Sequence, residues 1–200
     1  WGAVAAKAPH LGAFYGAHGQ YTMSDELMLY GEFGSSVLPM ALDSPDDAAQ
    51  PYVLQSPAPR RNAVLAGSSY TFESGQSLML EYLHDGHGYT ASGADAYFAR
   101  AGGALPLAGM ALGHAPRLLG RDYMHLVWQS NLMESSGYWR MMATRNLTSG
   151  SSELGGYGEA ALNGHITVFA MGVWNNGSAR QELSSLFTCS IALGLKVALN

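Results

Sequence analysis

The chain has 200 residues, with 10 Lys and Arg against 15 Asp and Glu, a formal net charge of −5 and only 12% charged residues. A soluble domain is about a quarter charged, so the deficit asks for a reason, and the acidic balance excludes the basic footprint of a nucleic-acid-binding surface. Mean hydropathy is 0.00 and no run of about 18 apolar residues occurs, which excludes a membrane-spanning helix.

Low charge without a hydrophobic block fits a chain whose apolar residues are spread by alternation, as in the wall of a transmembrane β-barrel. A soluble β-sandwich with a poorly charged surface is the rival reading. The 25 glycines suit strands that bend as a barrel closes. The 11 tyrosines and 4 tryptophans suit a membrane–water interface, where an amphipathic ring is half wet. The single cysteine, Cys189, leaves no internal disulfide. The opening residues Trp1 to Lys7 carry no signal-peptide pattern and read as a mature form or a fragment.

In chain order, residues 1–8 are a candidate first strand. Strands are predicted over 12–21 and 26–35, joined by the turn Thr22-Met23-Ser24-Asp25. Residues 36–61, with five prolines, acids early and Arg60-Arg61 late, read as an ordered surface loop. Strands over 62–72 and 76–84 flank Glu73-Ser74-Gly75, a polar turn whose glycine suits a positive φ. A long loop follows over 85–120, rich in Ala, Gly and Leu, with a short helix expected over 104–114. The pair 121–131 and 137–146 is joined through 132–136. After a loop over 147–152, strands 153–162 and 165–174 flank Asn163-Gly164, the strongest short-range hairpin signal in the chain. A loop over 175–183 leads to the last strand, roughly 184–199.

The last segment has the clearest pattern. Phe187, Cys189, Ile191, Leu193, Leu195, Val197 and Leu199 alternate with Thr188, Ser190, Ala192, Gly194, Lys196 and Ala198. That run reaches the 9–11 residues a tilted strand needs to cross a bilayer. The fold class expected is therefore all-β: an antiparallel transmembrane barrel, nine or ten strands visible, in one domain that is whole or the C-terminal part of a larger barrel. Short turns lie on one side and long loops on the other. This puts the turns and the C-terminus in the periplasm.

Alternation assigns Glu26, Tyr30, Glu32, Glu81, His125, Gln129, Arg140, Glu159 and Lys196 to the lumen, since a charge on the lipid face is costly. It assigns Leu27, Leu29, Phe33, Leu78, Leu80, Leu126, Trp128, Leu193, Leu195, Val197 and Leu199 to lipid. Residues 165–174 are apolar on both faces and receive no facing. Arg140 is expected to form a ladder with Glu159 and His125 on its neighbouring strands. In a narrow barrel the lumen charges pair and fill the interior; in a wide one they line water.

His84, Asp85 and His87 crowd into four residues, a set able to bind a divalent metal or act as an acid–base pair. Their strand-to-loop position favours turn formation instead, so no metal, cofactor or catalytic residue is assigned. Arg60, Arg61, Arg100, Arg117, Arg121 and Arg180 fall in or beside the long loops, placed either to meet lipopolysaccharide phosphates or to be solvated. Cys189 reads as a small apolar residue of the outward face.

The run from Ser69 to Tyr89, SYTFESGQSLMLEYLHDGHGY, resembles a hairpin of Gram-negative outer-membrane porin-like proteins. The ending from Ile191 to Asn200, IALGLKVALN, is similar to their terminal strand, although such strands usually end in an aromatic residue. The resemblance covers residues 11–200 in pattern and implies location in the bacterial outer membrane, contact with its lipid and lipopolysaccharide, and a porin-like channel for small solutes rather than an enzyme. A structural barrel that anchors or sheathes a larger envelope assembly, with other subunits as partners, is the alternative. An outer-membrane hydrolase is the weaker one.

Overall fold

The computed structural model describes residues 1–7, 12–101, 113–131 and 137–198. Period-two alternation between Gly- and Ser-rich turns drives the chain into strands. In order these are β1 (Gly2–Lys7), β2 (Ala13–Thr22), β3 (Leu27–Ser36), β4 (Ala41–Asp43), β5 (Val53–Gln55), β6 (Arg61–Thr71) and β7 (Ser77–Asp85). Helix α1 (Ala91–Ala101) follows, then β8 (Asp122–Gln129), β9 (Gly137–Asn146), β10 (Ser152–Ala161), β11 (Ile166–Asn176), a 3-10 turn (Glu182–Ser184) and β12 (Cys189–Val197).

Ten of these strands form one antiparallel sheet in the order β1-β2-β3-β6-β7-β8-β9-β10-β11-β12. The fold is thus all-β and every long strand pairs with its sequence neighbours. The sheet is open: among the described residues β1 and β12 are edges and do not pair with each other. β4 and β5 make a separate two-stranded hairpin inside the segment expected as a loop.

Tight turns close one end of the sheet. Thr71 N–H bonds the Glu26 carbonyl and Phe72 N–H the Gln76 carbonyl, with Gly75 at φ +79 as its turn requires. Leu162 and Asn163 close on Ile166 in the same way. The other end carries the long connections, 37–60, 86–121 and 177–188, together with the short one at 147–151.

The strands are staggered in one direction. A single hydrogen-bonded row runs Tyr21, Leu29, Ser68, Leu80, Leu126, Ala143, Leu154, Trp174. Tyr21 stands one residue from the tight-turn end of β2, and Trp174 stands eight residues from that end of β11. The register therefore drifts by seven residues over seven strand-to-strand steps. One residue, about 3.3 Å, per step of about 4.8 Å corresponds to strands tilted by about 35°.

Two expectations are corrected. The last strand begins at Cys189 rather than near 184, because Glu182–Ser184 is a 3-10 turn. A helix forms over Ala91–Ala101, inside the segment expected as a loop. The helix expected over 104–114 falls almost wholly outside the described residues, as do Leu199 and the connection 132–136.

Candidate functional site

Because facing follows the pairing register, the ladder sorts every strand residue onto one of two faces. One row joins Tyr30, Gly67, Glu81, His125, Thr144, Glu153 and Asn175, and Glu32, Gln129, Arg140, Glu159 and Lys196 share its face. Leu27, Leu29, Phe33, Leu78, Leu80, Leu126, Trp128, Leu193, Leu195 and Val197 stand on the opposite face. Glu26 sits in the turn just before β3, where its carboxylate accepts the Ser24 hydroxyl at 2.7 Å. For β11, Phe169, Met171 and Val173 lie on the polar face and Val168, Ala170 and Trp174 on the other.

Charge is segregated between the faces. Of eleven charged residues in the ten strands, Glu32, Arg61, Glu81, Asp85, Arg140, Glu153, Glu159 and Lys196 share the polar face. The other three, Lys7, Asp122 and Arg145, stand in the last two positions at the long-loop end of their strands. The eight aromatic residues of the apolar face form two groups. Tyr21, Tyr70, Trp128 and Trp139 lie within two residues of the tight-turn end, and Tyr15, Phe33, Tyr82 and Trp174 within three of the long-loop end. Small and aliphatic side chains fill the band between. Nothing in the described chain covers this face: Ile191 is 74% and Leu193 77% exposed.

On the polar face, neighbours across strands pair. Tyr30 donates its hydroxyl to Glu81 at 2.7 Å. Its ring lies over Gly67, where a Cβ would stand 2.4 Å from it, so a larger residue there would expel the ring. His125 Nδ1 meets Thr144 Oγ1 at 2.9 Å, and Tyr138 donates to Gln129 at 3.1 Å. The ladder expected of Arg140 does not form. The register sets Arg140 opposite Gln129 and Tyr157, while Glu159 takes the Lys196 ammonium and the Tyr157 hydroxyl. Among the described residues, Arg140 Nε is buried without a hydrogen-bond partner. The Lys196 ammonium also lies 5.8 Å from the ring centres of both Tyr157 and Phe169, within reach of a cation–π attraction.

His84 and His87 do not converge. His84 Nδ1 lies 2.8 Å from Asp122, which also accepts the Tyr82 hydroxyl at 2.6 Å on the apolar face. His87 Nε2 lies 3.0 Å from Ser36 Oγ inside the loops. Burial holds the His87 ring below the usual imidazole range; Asp85 opposes that shift and Arg61 adds to it. No three His, Cys, Asp or Glu groups among the described residues are placed to hold a metal.

The long loops build a packed cap. Leu42, Ala58, Tyr89, Ala94 and Ala96 are its buried core, with Tyr89 only 5% exposed. Tyr89 donates to the Leu42 carbonyl and Tyr52 to the Tyr97 carbonyl, and burial raises all three phenols above their ordinary range. Arg100 ends α1 and donates to the Gln50, Pro45 and Asp47 carbonyls and to Ser44 Oγ, fastening 44–50 to the helix. Arg60 donates to the Ser35 and Ala13 carbonyls, and Arg121 to the Gly88 carbonyl. These three arginines thus serve the fold of the cap.

A second hub lies beside it. The Glu182 carboxylate accepts Leu119 N–H at 2.9 Å, Gly120 N–H at 3.4 Å, Asn146 Nδ2 at 2.9 Å and the Tyr123 hydroxyl. Asn146 is 1% exposed and Ser151 fully buried. Sequence reasoning missed Tyr123, Asn146 and Glu182 and the fastening role of Arg100, because each acts on groups 23 to 63 residues away. Their only local signal was their place in or beside the long loops. Comparison with protein-family models, with curated proteins and with solved structures found no match.

Proposed function

We propose that the chain forms the wall of a bacterial outer-membrane β-barrel that acts as a porin-like channel for small solutes. Its apolar face meets lipid, its polar face lines the lumen, and the tight turns and C-terminus face the periplasm. The observation that carries this reading is the segregation of the two faces. An apolar face ten strands wide is uncovered, is bounded at both ends by aromatic rows, and bears charge only at one rim. Lipid-exposed barrels have such girdles because aromatic rings settle at the headgroup level. A water-facing sheet of this kind would need a second layer over its apolar side. The one-residue stagger supports closure as well, since barrel strands tilt by about 35–45°.

The test is single-channel conductance of the purified protein in a planar bilayer. Stable steps whose ion selectivity changes in Glu81→Gln or Arg140→Gln are expected. One observation favours a second reading, a structural barrel within an envelope assembly. Polar-face groups pair with one another, and the interior of a narrow barrel is filled by such side chains. A correctly inserted but silent protein would select that reading.

A further inference from the structure

The charges of the polar face do not balance, and their surroundings are aromatic. Glu32, Glu81, Asp85, Glu153 and Glu159 stand against Arg61, Arg140 and Lys196, a surplus of two negative charges. Two places on this face gather carboxylates and ring faces together. The first is filled from within: the Lys196 ammonium rests between the Glu159 carboxylate, the Tyr157 hydroxyl and the rings of Tyr157 and Phe169. The second is an open cavity of about 610 Å³ lined by His18, Met28, Tyr30, Glu32, Met79 and Glu81 among others. Among the described residues, no lysine or arginine borders it. The Glu32 carboxylate makes no hydrogen bond or ion pair among the described residues, so its charge is unpaired on that wall.

A carboxylate attracts any cation, whereas ring faces and thioethers add contact for one that also carries hydrocarbon. An inorganic cation has no hydrocarbon to place against such a lining. From the Lys196 arrangement, which shows the same kinds of group satisfying a primary ammonium, we infer that the channel proposed above takes organic cations bearing a primary ammonium group, bound at the cavity beside Tyr30, Glu32 and Glu81. This inference rests on the channel reading.

The experiment uses the whole chain in a planar bilayer under a KCl gradient, with n-butylammonium as the probe and butyrate as the control. Three results are expected: a reversal potential of cation-selective sign, block of the K⁺ current by butylammonium but not by butyrate, and weaker block, by about fivefold or more, in Glu32→Gln and Glu81→Gln. Glu32→Gln disturbs no partner, and its unitary conductance reports that the barrel has formed. A conducting but anion-selective channel, or block that is unchanged in both variants, overturns the inference and leaves the channel standing. Absence of conductance from inserted protein overturns both.

Discussion

The ten-stranded wall and the cap at its long-loop end draw on similar apolar residues and dispose of them in opposite ways. The cap turns Leu42, Tyr89, Ala94 and Ala96 inward around α1 and β4-β5, then fastens the layers with Arg100. The wall leaves Ile191, Leu193, Leu195 and Val197 of β12 more than half exposed. Burial of one such side chain is worth about 1.5–3 kcal/mol, so four left in water forgo about 6–12 kcal/mol. That equals a typical domain's whole net stability of about 5–15 kcal/mol. The cap therefore buries its apolar side chains within itself, and the wall leaves those of its apolar face uncovered by the described residues. The difference is the one the proposed membrane barrel calls for, a wall meeting lipid and a cap meeting water.

The largest effect should come from putting a charge on the apolar face of the wall. Leu193 is the central residue of β12, and Leu193→Lys should cost about 2–4 kcal/mol in a bilayer, read as a lowered denaturant midpoint in vesicles. Lys196→Leu, on the other face, should leave that midpoint nearly unchanged. If the two variants behaved alike, the faces would not see different solvents and the comparison would fail.

A smaller, local effect is expected in the loops. Glu182→Ala strips the acceptor from two backbone amides, a phenol and an amide side chain, which should cost about 2–3 kcal/mol. Hydrogen exchange at Leu119 and Gly120 should speed up and protease should cut the loops sooner, while strand amides in the wall stay protected. Equal loss of protection throughout the sheet would show that hub and wall fold as one unit.

The smallest effect is a pH dependence confined to the cap. His87 is held below its ordinary range by burial and Arg61, so the unfolded chain takes up its proton first as pH falls. Stability contributed by the neutral ring is complete above the unfolded value of about 6.5 and declines below it, levelling once the folded ring protonates. Protease sensitivity of residues 86–101 should rise in that window and lose its pH dependence in His87→Gln. An unchanged profile in the variant would assign the dependence to another group.

Strand positions and facings were legible in the residues because a strand has a period of two and each face sees one environment. The alternation from Cys189 to Val197 placed Lys196 on one face and Leu195 on the other from spacing alone. The turns at Gly75 and Asn163-Gly164 were legible because their backbone demands particular residues. Partner choice was not. Arg140 was matched to Glu159 by charge and strand adjacency, but register sets Arg140 opposite Tyr157 and gives Glu159 to Lys196, a strand further on.

What the sequence determined by itself was an antiparallel all-β chain with most of its strand charges on one face, since local periodicity encodes both. Only the tertiary structure decided the common stagger of the strands, the helix in the cap, and the hub in which Glu182 gathers Leu119, Tyr123 and Asn146. Each of these depends on contacts between residues far apart in the chain, and spacing along a sequence carries no record of which distant groups will meet.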